Sequence, residues 1–130
     1  MFDSLFTKTR KLHFFLNTYL PFLGAGIRVE HISDDFLAID VRMPLYRGNK
    51  NYVGTHFGGS LYAMTDPFFM VMLMENLGKD YIVWDKAANI DFIAPGRGMV
   101  NAHFRLNKEE IERVRLAAES GNAVYPEYPI

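Results

Sequence analysis

The sequence predicts an α+β domain in which an antiparallel sheet curls around one long buried helix. Two observations carry that prediction. Residues 60–77 are apolar nearly all round a helix, and residues 37–43 and 100–106 alternate apolar with polar side chains. A helix with no polar face belongs inside a fold, and half-buried antiparallel strands are suited to cover it. With 130 residues, 49% of them hydrophobic, the chain is expected to form a single domain spanning residues 1–130 with its own core.

The elements follow in order. Lys8, Arg10 and Lys11 precede an apolar stretch from Leu12 to Leu23, which loosely imitates a secretory leader. His13, Asn17, Thr18 and Pro21 interrupt the stretch, while Leu5, Leu12, Leu16 and Tyr19 share one helical face, so an amphipathic helix is predicted. Ile27 to Ile32 and Leu37 to Met43 read as a hairpin around Ser33-Asp34-Asp35, residues that can bond their own backbone. Pro44 to His56 is a loop leading into the helix at Gly58-Gly59-Ser60. Pro67 lies within that helix and frees the Ala63 carbonyl, so a kink is expected. Tyr81 to Ile93 reads as a long strand with Ile82, Trp84, Ala88, Ile90 and Phe92 in phase, turned by Ala94-Pro95-Gly96-Arg97-Gly98. Val100, Ala102, Phe104 and Leu106 form a further strand, with His103 on its wetter face. Asn107 and Glu110 predict a helix start, Glu109 and Arg113 a pair one turn apart, and Gly121 a stop after Ile111, Val114 and Ala118.

Composition excludes several functions. A net charge of −1 offers no basic stripe, so no nucleic-acid partner is expected. The absence of cysteine excludes a disulfide framework and fits a cytoplasmic protein. His13, His31, His56 and His103 stand apart without metal-ligand spacing, so no metal is expected. The apolar run Phe68 to Met74 falls short of the roughly 20 residues needed to span a bilayer, and no membrane partner is expected. A nucleophile-elbow serine, a phosphate-cradling loop and a dinucleotide fingerprint are all missing.

The residue that demands explanation is Asp66, an acid in an apolar helical stretch. Removing a carboxylate from water without partners is costly, so such an acid is usually paired, capping or reactive. Asp66-Pro67 also reads as an N-cap followed by proline at the first helical position, and that explanation needs no catalysis. Gly58-Gly59 at a helix start presents unbonded N–H groups that would polarise a carbonyl and stabilise an oxyanion, an effect of about 3 kcal/mol per donor. Asn51 either orients substrate or makes a turn, with the turn favoured. His56 either touches substrate or satisfies loop backbone. Asp85 and Lys86, adjacent in a strand, point to opposite faces and cannot pair directly; one of them is expected to face the helix, and the pair to make a structural polar contact.

A sheet curled around a helix is the hotdog arrangement. Gly54-Thr55-His56-Phe57-Gly58-Gly59, with Asp66 seven residues after the second glycine, resembles the active-site segment of hotdog acyl-CoA thioesterases of the phenylacetate-pathway type. From Asn51 to Leu106, including Ile82-Val83-Trp84-Asp85-Lys86-Ala87-Ala88 and Phe92-Ile93-Ala94-Pro95-Gly96-Arg97-Gly98, the chain is similar to small bacterial hotdog proteins grouped only as a domain of unknown function. Two departures stand out. Phe57 separates His56 from the glycines, and the C-terminal strands of those families look truncated here.

The resemblance implies thioester hydrolysis, with Asp66 as general base or nucleophile, helped by a raised pKa, and the Gly59 N–H as oxyanion donor. His56 and Asn51 would complete the catalytic set. Phe57, Gly58, Ser60 and Arg97 would meet substrate, with Arg97, Arg47 and Lys50 near coenzyme A phosphates. No cofactor is implied beyond coenzyme A as part of the substrate. Gly59 and Asp66 would lie about 10 Å apart on one straight helix, too far for one thioester to touch both. A homodimer, or a higher homo-oligomer, with composite sites is therefore expected. The alternative is a non-catalytic acyl-chain or acyl-CoA binding module, its tunnel lined by Phe68, Phe69, Met70 and Met72.

Overall fold

A computed structural model describes residues 6–130. Helix α1 (Lys8–Thr18) is opened by Thr7, whose hydroxyl accepts the Arg10 N–H at 3.3 Å. Its inward row buries Thr9 and Leu16, with Leu12 half-buried. Leu5, expected on this row, lies outside the described residues, and Tyr19 falls beyond the helix end and is exposed. Helix α2 (Leu20–Ala25) restarts with Pro21 in its first turn and stops at Gly26, whose φ of 80° suits a residue without a Cβ.

Strands β1 (Arg28–Ile32), β2 (Ala38–Met43) and β3 (Val100–Arg105) form an antiparallel sheet in the order β1-β2-β3. Asn17 extends it from the side. Its amide accepts the Val29 N–H and donates to the Val29 carbonyl, both at 2.9 Å, as a neighbouring strand would. The hairpin turn is built by Ser33, whose hydroxyl accepts the N–H groups of Leu37 and Ala38. Ile39 pairs with Phe104 and Val41 with Ala102, and these four side chains all point into the core.

The expected helix from Ser60 to Leu77 is two helices, α3 (Gly58–Ala63) and α4 (Phe68–Leu77), separated by Met64–Pro67 with a cis Asp66–Pro67 bond. Proline lacks the N–H that would continue the ladder, so the expected kink is a full break. Helix α4 is the one the sheet covers. The Phe68 ring lies 4.8 Å from Phe104 and 5.9 Å from Phe22, and Phe69 meets Phe104 edge-on at 5.3 Å. Arg115 donates to the Asn76 and Leu77 carbonyls at the open C-terminal end of α4. Among the described residues no helix is long and apolar enough to cross a membrane.

The predicted strand over Tyr81–Ile93 is a correction. These residues pair with no strand among the described residues, and Ile82, Trp84, Phe92 and Ile93 are exposed. The alternating pattern is present, but a strand exists only where a neighbour supplies the ladder.

Helix α5 (Lys108–Ala118) starts as predicted, with the Asn107 side chain accepting the Glu110 N–H at 2.8 Å. Arg113 pairs with Glu110 instead of Glu109, at 2.6 Å. Ile111 and Val114 pack on Leu73 and Leu77. The tail folds back over α4 and α5. The Tyr128 ring lies 4.9 Å from Phe69, and its hydroxyl donates to Glu110 at 2.8 Å.

Candidate functional site

The loop before α3 is organised by Asn51. Its carbonyl oxygen accepts the N–H groups of Val53 and Thr55 at 3.1 and 2.9 Å, and its NH₂ donates to the Thr55 hydroxyl and the His56 carbonyl. Every hydrogen-bonding group of this amide serves the turn, which is the turn reading of Asn51. The effect is to drive Thr55 and His56 inward, where both are buried. Asn49, which sequence reasoning passed over, anchors the same loop: buried, it donates to the carbonyls of Ala25 and Pro44 at 2.8 and 2.7 Å.

His56 latches this loop to the 94–98 turn. Its backbone N–H donates to the Gly96 carbonyl at 3.0 Å, and its Nε2 lies 2.6 Å from the Gly98 carbonyl. A carbonyl accepts only, so Nε2 carries a proton and donates it to Gly98. Among the described residues Nδ1 is buried without a partner. The approach at position 96 is close: a Cβ there would sit 3.1 Å from the His56 Cβ, so the ring would have to shift to admit it.

Helix α3 starts immediately after this latch. The N–H groups of Ser60 and Leu61 bond the Phe57 carbonyl at 3.0 and 3.1 Å, while those of Gly58 and Gly59 precede the first helical bond. The Phe92 ring covers Gly58 so closely that a Cβ would stand 3.1 Å from it. A cleft of about 320 Å³ opens here, lined by Asn51, Thr55, His56, Gly58, Leu61 and Phe92 together with the 93–96 turn. The structure thus gathers Asn51, His56 and Gly58 at one cleft. Phe57 is exposed and does not line it, Ser60 is buried as the third residue of α3, and Arg97 is exposed on the turn.

Asp66 is elsewhere. It lies past the far end of α3, is exposed, and does not line the cleft. It is not the cap of α4, since Pro67 occupies that position with no side-chain hydrogen bond. Its neighbour is Asp85, and the two carboxyls are within hydrogen-bond reach. Burial, and then the hydrogen bond and like charge of Asp66, push the Asp85 carboxyl above the usual range. Sequence reasoning missed this pairing because residues 66 and 85 belong to different elements. Phe92 was visible as an in-phase apolar residue, without any sign that its ring would cover Gly58.

A small antiparallel sheet laid on a central helix is the hotdog arrangement expected from the sequence. Residues 8–125 match the family described as Domain of unknown function (DUF4442), and the chain belongs to that family. It is similar to the crystal structure of PA5026 from Pseudomonas aeruginosa, a protein of unknown function called a probable thioesterase. The two are 20% identical, the match covers 87% of this chain and 75% of that one, and the TM-score is 0.69. It is also similar to OLEI01261 from Chlorobaculum tepidum TLS, a protein of unknown function, at 24% identity over 86% of this chain and 70% of that one, with a TM-score of 0.63. No curated protein matches the chain.

Proposed function

We propose that this protein is an acyl-CoA thioesterase whose thioester carbonyl binds at the start of α3, and the observation that carries the reading is the pair of Gly58 and Gly59 amides, unbonded among the described residues, the first of them lining the His56 cleft. The name given to PA5026 supports the same chemistry. In this reading the Gly59 N–H donates to the developing oxyanion, and Asp66 activates water or attacks the thioester itself. Helix α3 has only six residues, so its N–H groups act as local donors more than through a large dipole. Asn51 and His56 position the loop, Phe57 and Ser60 flank the acyl group, and Arg97 reaches toward coenzyme A phosphates. Coenzyme A arrives as part of the substrate, and no further cofactor takes part.

Asp66 of the same chain is separated from the cleft by α3 and the break after it, so the acid comes from a second copy in a homodimer. The exposed row Ile82, Trp84, Phe92 and Ile93, on a segment with no ladder partner, is the surface that the second copy covers. The test is hydrolysis of an acyl-CoA panel, short to long and aryl-acyl, by wild type, Asp66→Asn and Gly59→Val. Each variant alone is expected to lose about 100-fold or more in kcat, and the two mixed and refolded together to regain activity through hybrid dimers. A folded wild type that binds acyl-CoA without turnover would establish the binding-module alternative.

A further inference from the structure

Two extended segments meet in this fold without a ladder between them. Among the described residues, 81–93 make backbone hydrogen bonds only at their ends, from Tyr81 to Gly78 at 3.4 Å and from Ile93 to Asp91 at 3.1 Å, and 123–130 make none. Side chains therefore decide where each segment lies.

The tail is anchored at Tyr128. Val124, Pro126 and Tyr128 are half-buried and alternate with exposed Tyr125 and Glu127, as an extended chain laid on a surface requires. The Tyr128 ring lies on Phe69 and its hydroxyl donates to Glu110, which ties the tail to α4 and α5. Tyr125 points outward, and the Lys86 ammonium sits over its ring, 4.1 Å from the centroid.

Lys86 is the polar member of an otherwise apolar row, Ile82, Trp84, Ala88, Ile90 and Phe92. Among the described residues no carboxylate pairs with it, and the aromatic face is the partner of its charge. Neighbouring side chains of an extended chain point to opposite sides. The ring thus holds the segment at Lys86 while Asp85, next to it, turns to Asp66. Further along the same segment the Phe92 ring rests on Gly58.

We propose that the tail is a brace for the candidate site, with Tyr125 as a positioning residue: by holding Lys86 it keeps Asp85 at Asp66 and Phe92 over Gly58. Tyr125 does not line the cleft, so it acts through Lys86. The brace is a property of the fold, and only its effect on turnover rests on the thioesterase reading.

The test uses the full chain with Tyr125→Ala, Tyr125→Phe, Lys86→Met, Lys86→Arg and the double variant Tyr125→Ala/Lys86→Met. Both residues are exposed, so these substitutions leave the core intact, and circular dichroism of each variant accompanies the assay. Trp84 is the chain's single tryptophan and lies in the braced segment, so its fluorescence anisotropy decay reports motion there. NMR titration of the Asp85 carboxyl reports its contact with Asp66.

Tyr125→Ala and Lys86→Met are each expected to raise the loosely held fraction of Trp84 about two- to fivefold, the size of an exposed cation–π contact, and to bring the Asp85 carboxyl down toward its ordinary range. Tyr125→Phe and Lys86→Arg, which keep the ring and the cation, are expected to match wild type, and the double variant to be no looser than either single one. Hydrolysis of acyl-CoA is expected to fall by the same factor in the same variants. Unchanged Trp84 motion and an unchanged Asp85 titration in Tyr125→Ala overturn the proposal. So does a Tyr125→Phe protein as loose as Tyr125→Ala. In an active enzyme, turnover untouched by Tyr125→Ala overturns the positioning role. Absence of turnover by wild type overturns the thioesterase reading instead, and the brace is then decided by Trp84 and Asp85.

Discussion

Replacing His56 by alanine tests whether the cleft depends on the latch between the 44–57 loop and the 94–98 turn. The side chain is 3% exposed, donates to Gly98 at 2.6 Å and packs against Gly96. Losing that hydrogen bond costs about 1 kcal/mol, and removing a buried ring that its surroundings only partly refill costs about 1–2 kcal/mol more. The sum is about 2–3 kcal/mol, which in a domain of this size lowers Tm by roughly 6–12 °C. His56→Phe separates the two contributions, because it keeps a ring and loses the donor, and it is expected to cost about 1 kcal/mol or slightly more. Urea titrations of wild type and both variants give the three stabilities. Hydrogen exchange at the Thr55 and His56 amides shows whether the loss is local. A His56→Ala protein within about 0.5 kcal/mol of wild type, with unchanged exchange in the loop, would refute the latch.

Phe104→Ala empties the contact between the sheet and α4, where the ring is fully buried against Phe68 and Phe69, and is expected to cost about 3–5 kcal/mol in urea. Burial alone would raise the Asp40 carboxyl, but hydrogen bonds from His103 at 2.7 Å and Arg105 at 2.6 Å hold it below its ordinary value. The folded state then binds that proton less readily than the unfolded chain, so the stability is present above the ordinary carboxylate pKa and is lost as pH falls through the lowered one. Asp40→Asn is expected to cost about 1 kcal/mol at neutral pH and nothing in acid, read from denaturation at both pH values. Asp85 has the opposite sign. Its folded pKa is raised, so its ionisation opposes folding as pH rises through and above the ordinary value. Asp85→Asn should therefore raise Tm at neutral pH, with the gain vanishing in acid, and an unchanged neutral Tm would count against the carboxyl pair.

What the sequence made legible was local chemistry. The hairpin around Ser33, the strand carrying Phe104 and the Asn107 cap are each specified by neighbouring residues, and each is present. Pro67 also announced an interruption, although the helix ended completely there. What the sequence did not reveal needed partners from elsewhere. Tyr81–Ile93 carries a strand pattern, but no sequence pattern states which backbone will supply the hydrogen bonds. Asp66 read as a cap because aspartate before proline often is one, whereas the structure starts α4 one residue later, at Phe68. The site followed the same rule. The glycine pair was readable as a helix start, while the Asp66–Asp85 contact, the Phe92 cover and the Asn49 anchor join residues distant in sequence.

The unpaired segment is what connects these pieces. It contains both Asp85, beside the candidate acid Asp66, and Phe92, which covers Gly58 at the cleft. Its apolar residues Ile82, Trp84 and Ile93 face solvent in the single chain. An acid that is wet and a donor site with an open cover make weak catalysts, because water screens both. Covering this one segment with a second copy, as proposed, would exclude water from the carboxyl pair and close the cleft in one step. Assembly and activity are then a single property. Polar substitutions at Ile82 and Trp84, which touch neither Gly59 nor Asp66 in sequence, should reduce dimerisation and turnover together, and turnover that persists in a monomer made this way would separate the two and remove the composite site.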